Sequence, residues 1–139
     1  MMITACLTTS FLQEILLGVH NLATDTLKVA LYDSNATLGP ATTAYTTAGE
    51  VVGTGYTAGG ETLAGVLVQS APGVAYVDFS NPTWTGTFST RGALIYNASK
   101  ADRSIAVLDF GVDQVVVGQP FLIQAPPDNP QTAIIRIQF

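Results

Sequence analysis

Apolar residues recur along this chain with two different periods. Between Phe11 and Val19 they stand three and four apart, with Phe11, Leu12, Ile15, Leu16 and Val19 building one stripe, the spacing of an amphipathic helix. Ser10 occupies the N-cap position and Gln13 the capping-box position behind it, so a single short helix is predicted over residues 11–20. Glu14 then falls in the first turn and His20 in the last, each at the end that the helix dipole favours.

After the helix the period shortens to two. Leu27-Lys28-Val29-Ala30-Leu31-Tyr32 reads as a strand with Lys28 facing outward, closed by the turn formers Asp33-Ser34-Asn35. Residues 35–60 break the pattern. They are dominated by Ala, Thr and Gly, with Tyr45 and Tyr56 the aromatics and Val51-Val52 the aliphatic pair. A stretch of this length without a strong pattern reads as a long arm or loop with a function of its own, and its composition suits packing against another chain.

The second half alternates strand and turn. Strands are predicted over 62–69, 74–79, 85–88, 92–97, 104–110, 115–117, 121–124 and 133–139. Turn signals at Ala71-Pro72-Gly73, Ser80-Asn81-Pro82, Asn97-Ala98-Ser99-Lys100 and Pro126-Pro127-Asp128-Asn129-Pro130 separate most of them. In Val74-Ala75-Tyr76-Val77-Asp78-Phe79 and Ser104-Ile105-Ala106-Val107-Leu108-Asp109-Phe110 the acid lies between large apolar residues, as on a sheet with one wet face. The last strand should be tied into the sheet at its end. The predicted architecture is one mainly β domain over residues 1–139: a jelly-roll-like or sandwich antiparallel body, one N-terminal helix and the 35–60 arm.

Composition changes this picture in one respect. With 47% hydrophobic and only 11% charged residues among 139, the chain carries more apolar material than a monomer of this size easily hides, so part of it should lie in a subunit interface. Ten acids against five Lys and Arg give a net charge of -5, the wrong sign for a phosphate-binding surface; no direct nucleic-acid partner is expected. The opening Met1-Met2-Ile3-Thr4-Ala5-Cys6-Leu7 lacks a positive n-region, and no apolar run reaches the ~18 residues of a membrane span. A cytoplasmic origin, or release by lysis, is the expectation, with no membrane partner.

Reactive chemistry is sparse. Cys6 is a lone cysteine without cationic neighbours in sequence, which suits a small hydrophobe better than a nucleophile. Gly53-Thr54-Gly55 with Gly59-Gly60 lacks the third fingerprint glycine and the following helix of a nucleotide loop. His20 is the one imidazole, with Asp25 the nearest acid beyond its helix, and reads as a capping or surface residue; a His20-centred hydrolase is the enzyme alternative. Asp78 and Asp109 sit on wet faces rather than as a catalytic pair. The sequons at Asn35 and Asn97 lack a secretory context, and Lys100-Ala101-Asp102-Arg103 reads as a solvated hairpin tip. No catalytic, cofactor-binding or metal-ligating set is predicted. The candidate interface residues are Phe11, Ile15, Tyr45, Tyr56 and Trp84, chosen as large apolar or aromatic side chains on the helix, the arm and a strand start.

The segments Ile3-Thr4-Ala5-Cys6-Leu7-Thr8-Thr9-Ser10-Phe11, Leu27-Lys28-Val29-Ala30-Leu31-Tyr32, Thr43-Ala44-Tyr45-Thr46-Thr47-Ala48-Gly49-Glu50, Gly55-Tyr56-Thr57-Ala58-Gly59-Gly60 and Arg91-Gly92-Ala93-Leu94-Ile95-Tyr96-Asn97 resemble a family of small virion proteins of tailed bacteriophages. The resemblance runs along nearly the whole chain and carries no catalytic residues. It implies a capsid cement or decoration protein with a jelly-roll-like body, forming homotrimers that bind the major capsid protein on the head surface. Under that expectation the Phe11 helix or a strand face joins three copies and the 35–60 arm clamps neighbouring capsid subunits. The alternative is a receptor- or glycan-binding module of a tail or head fibre, with Trp84 and Tyr56 as its contacts.

Overall fold

Two long strands organise the chain. In the computed structural model, which describes residues 2–124 and 133–138, the runs at 85–88 and 92–97 join into one strand, β6 (Thr83–Asn97, 15 residues). Those from 104 onward join into β7 (Arg103–Leu122, 20 residues). The pair is antiparallel from Thr83↔Leu122 to Asn97↔Arg103, with register slips between Gly86 and Phe88, Thr90 and Gly92, and Ile95 and Tyr96. The sequence breaks that suggested separate strands are therefore bulges, two of them built around Gly111 and Gly118 at φ +81° and +60°. Extra residues on β7, four against Arg91 alone at the Gly111 break, kink the ladder without ending it.

The other elements are β1 (Cys6–Leu7), α1 (Thr9–Leu16), β2 (Leu27–Tyr32), β3 (Glu61–Thr62), β4 (Leu67–Ala71), β5 (Val74–Asp78) and β8 (Ile135–Gln138). They form two sheets, one of five strands in the order β1-β7-β6-β2-β3 and one of three in the order β4-β5-β8, and every strand pair is antiparallel. The predicted 62–69 strand splits, because Gly65 turns at φ +64° between the two sheets: Glu61–Thr62 pairs with β2 and Leu67–Ala71 with β5. Pro72 and Gly73 make the tight β4–β5 turn the sequence called for, closing at Ala71↔Val74. The final strand is tied to β5 by Val74↔Gln138 through Val77↔Ile135, while the Pro126–Pro130 turn signal lies outside the described residues.

The helix starts and stops earlier than its stripe suggests. Thr8, not Ser10, is the N-cap: its hydroxyl accepts from the Phe11 N–H at 3.3 Å and is fixed by Ser104 Oγ at 2.9 Å. Ser10 instead turns to the Thr42 carbonyl. Gly18 at φ +73° ends the helix just past Leu17, the usual left-handed stop, and His20 lies beyond it.

Apolar clusters fill both faces of the five-stranded sheet. One joins the two sheets, with Leu27, Val29, Leu31, Ile95 and Ile105 meeting Val77, Phe79 and Ile135. On the opposite face Ala30, Tyr32, Leu94, Tyr96 and Val107 pack under Ile3, Ala36 and Leu38. The 35–60 segment is therefore a cover rather than an extended arm. It forms no named strand and is stitched down by isolated bridges Tyr32↔Glu50, Ala44↔Arg103 and Thr54↔Thr87. This explains why Lys28 is half-buried rather than outward: the face it was expected to share with solvent is roofed. Gly60, at φ +78°, lets the cover cross β2 where any Cβ would strike the Val29 carbonyl.

Candidate interaction surfaces

The cover is locked by one carboxylate. Glu50 is the only charged residue between Asp33 and Glu61, and it is buried. Its Oε1 accepts the Tyr45 hydroxyl at 2.6 Å, and its Oε2 accepts the Tyr56 hydroxyl at 2.5 Å and the Gly59 N–H at 2.8 Å. Around this centre Tyr32 donates to the Thr46 carbonyl and Tyr96 to the Gly59 carbonyl, both at 2.6 Å, and the Tyr45 and Tyr96 rings stack at 4.8 Å. Burial, followed by the nearby acids Asp102 and Glu50, pushes the Tyr96 hydroxyl up to about 12. Burial and the bond to Glu50 likewise raise Tyr45 and Tyr56. These hydroxyls stay protonated donors, which is what a latch on a carboxylate requires.

A second polar chain ties the helix to the β6–β7 turn. Asn97 is fully buried, its Oδ1 accepting from the Ser99 N–H and its Nδ2 donating to Asp25 at 2.8 Å. The remaining Nδ2 hydrogen points at His20 Nδ1, 3.0 Å away, so that nitrogen is an acceptor and Nε2–H donates to Glu14 at 2.9 Å. Both imidazole nitrogens are thus engaged, and His20 is neither a helix cap nor a surface residue. It is a buried link that the helix's early stop makes possible. Lys100 pairs with Asp25 at 2.8 Å and Arg103 reaches Glu14 at 4.0 Å, so this turn spends its charges within the chain. Burial works against the Asp25 carboxylate, but the donors Lys100, Asn97 and the Asn21 N–H outweigh it and hold the group at about 2, below its ordinary 3.8. Burial raises the Cys6 thiol, in keeping with an unreactive half-buried cysteine. Among the described residues, no three His, Cys, Asp or Glu side chains converge as a metal site, and no helix is long and apolar enough to cross a membrane.

The five predicted interface residues fall into two groups. Phe11 is fully buried and Trp84 is 3% exposed; both are spent in the protein's own core and have no face left for another chain. Trp84 belongs to a run of ring contacts with Tyr56 and Phe121, and among the described residues its Nε1–H has no hydrogen-bond partner. A sugar cannot stack on it as placed. Ile15, Tyr45 and Tyr56 are half-buried, the last two anchoring the cover. The reason for Trp84 is strand parity: along residues 83–90 the even positions point inward, and Thr83, Thr85, Thr87 and Ser89 face solvent.

Exposed apolar side chains lie elsewhere, Met2, Val52, Leu67 and Val68 among them, and two groups of them stand out. One is the end of α1, where Leu16 and Leu17 are 87% and 70% exposed, beside a cavity of about 430 Å³ lined by Phe11, Ile15, Leu22, Val68, Val77 and Ile137. The other is the distal half of β7, where Val112, Val115 and Val117 are 62%, 69% and 67% exposed. Along β7, at ~3.3 Å per residue, Val112 to Val117 lie about 17–33 Å beyond Val107, where β1 leads into α1. The sequence pointed to the helix but to Phe11 and Ile15 rather than Leu16 and Leu17, and the β7 surface was passed over. The signal for the second was Val115-Val116-Val117, three consecutive apolar residues on a strand, which necessarily present apolar side chains to both faces.

No protein-family model matches the chain, and no curated protein or solved structure is significantly similar to it.

Proposed function

We propose that this chain is a non-enzymatic virion structural protein, a capsid cement or decoration protein whose β-sandwich or jelly-roll-like body binds between major capsid protein subunits and stabilises the head. The observation that carries this reading is the pair of separated apolar surfaces on one body, at Leu16-Leu17 and at Val112 to Val117. A protein that bridges neighbours needs at least two such surfaces, and each can be individually weak when the contacts repeat across a lattice. In this reading the helix-end leucines, rather than buried Phe11, join three copies, and the distal β7 ribbon meets the capsid. The protein assembles in the host cytoplasm and ends on the capsid surface. The acidic balance of the chain gives it no affinity for packaged nucleic acid, and both His20 nitrogens are committed to structural partners.

The test is mechanical. Heads prepared without the protein should rupture at a lower temperature than the same heads after it is added back. Equal rupture temperatures with and without bound protein would count against a cementing role.

A further inference from the structure

The distal half of the β6–β7 hairpin has one closed edge and one open edge. On the β6 side, β2 takes Gly92 through Asn97, and farther out the Thr87 N–H bonds the Thr54 carbonyl at 2.9 Å. The backbones approach so closely there that a Cβ on Gly55 or Gly86 would strike the opposite chain segment. On the β7 side, β1 reaches only Ala106 and Val107, and among the described residues no strand lies along positions 108–122.

An open strand edge is a template for pairing, and stable proteins usually blunt it with lysine, proline or a bulge. Here the register break over residues 110–113 limits the regular stretch at its near end and the Gly118 bulge and Pro120 limit it at its far end, but between them no charge guards it: residues 83–90 and 114–122 contain no Asp, Glu, Lys or Arg. The ribbon's acids, Asp109 and Asp113, sit at its base, where Arg91 lies within 3.4 Å and 3.9 Å of them. The stretch from Gln114 to Val117 thus offers an uncharged edge beside the exposed Val115 and Val117.

We propose that this edge takes up, by strand addition, an extended uncharged segment of the major capsid subunit; the inference rests on the cement reading above. The area available separates this occupant from a second copy of the chain. A strand laid on four residues is roughly 13 Å long and its contact about 10 Å deep, on the order of 100 Å², against the ~800 Å² per partner of a stable pair. Two free copies would not stay together on so small a contact. A lattice offering many equivalent segments holds it collectively, and an uncharged edge predicts binding that changes little with salt.

The test uses the full chain, wild type and Val115→Lys/Val117→Lys, with capsids purified without the protein. Both positions are largely exposed, so the variant should melt as the wild type does. The expected result is wild-type co-sedimentation, an affinity loss of at least about tenfold in the variant, and slowed amide exchange at residues 114–117 on binding. Equal pelleting of wild type and variant would overturn strand addition while leaving the cement reading intact. So would a loss of binding in the variant when the wild type gains no amide protection, which would mean contact through side chains alone. A wild type that stays in the supernatant would remove the cement reading and this inference with it. A wild-type dimer in free solution that the variant dissociates would make the occupant a second copy instead.

Discussion

The two halves of the β6–β7 hairpin live in different surroundings. From Gly92 to Asn97 every β6 residue is buried, because one face looks into the cluster shared by the two sheets and the other lies under the 35–60 cover. From Thr83 to Thr90 the same strand alternates, one face inward and the other a row of threonines and a serine in water. Its partner changes in step: β7 is buried from Ser104 to Val107 and largely exposed beyond Asp109. One pair of strands serves as scaffold at one end and as presented surface at the other. What differs is only what covers them.

Removing the cover should erase the difference and cost the most. Deleting residues 36–59 would strip Ala36, Leu38, Glu50 and Val51 from buried positions and uncover Tyr32, Leu94 and Tyr96. With domains of this size stable by only about 5–15 kcal/mol, the expected outcome is loss of cooperative unfolding by circular dichroism. A folded deletion mutant would restore the arm interpretation. Leu94→Ala, in the proximal half with no exposed surface, should destabilise by about 2–5 kcal/mol, measured by denaturant unfolding.

Glu50→Gln sharpens the same comparison, since it keeps the volume but replaces a charged acceptor of three donors with an amide that has one oxygen. A loss of about 1–3 kcal/mol is expected, with faster amide exchange in residues 45–60 than in β7. A smaller effect belongs to the turn that joins the two strands. The Asp25 carboxyl is held at about 2 in the folded state against an ordinary 3.8. A depressed carboxylate contributes stability that is fully present above the unfolded value and lost as pH falls through the folded one, so the wild type should weaken between about pH 4 and pH 2. Asp25→Asn should flatten that slope; an unchanged slope would place the acid sensitivity elsewhere. Smallest of all, Val117→Lys on the distal ribbon should change stability by less than about 0.5 kcal/mol.

This gradient also marks what the sequence could tell. The mainly β class, the β2 strand and the Pro72-Gly73 turn follow from local alternation and turn chemistry, which need no tertiary context. The lengths of β6 and β7 were hidden because Gly86, Gly92, Gly111 and Gly118 resemble strand ends, and only the paired register turns them into bulges. The cover was hidden because a stretch of Ala, Thr and Gly has no period; its purpose depends on the apolar outer face of a sheet assembled from distant residues. Glu50 left a trace as a lone acid among spaced tyrosines. The apolar surfaces were misplaced for a related reason: aromatic size pointed to Phe11 and Trp84, while strand parity and the Gly18 stop placed those rings inside and left smaller aliphatic residues outside.

Under the proposed function, the exposed apolar surfaces hold the protein in a larger assembly. Co-sedimentation of the intact chain with capsids prepared without it tests this most directly, across increasing protein concentration. Saturable pelleting at a fixed ratio to the capsid subunit is expected. Protein that remains in the supernatant at every concentration would contradict it.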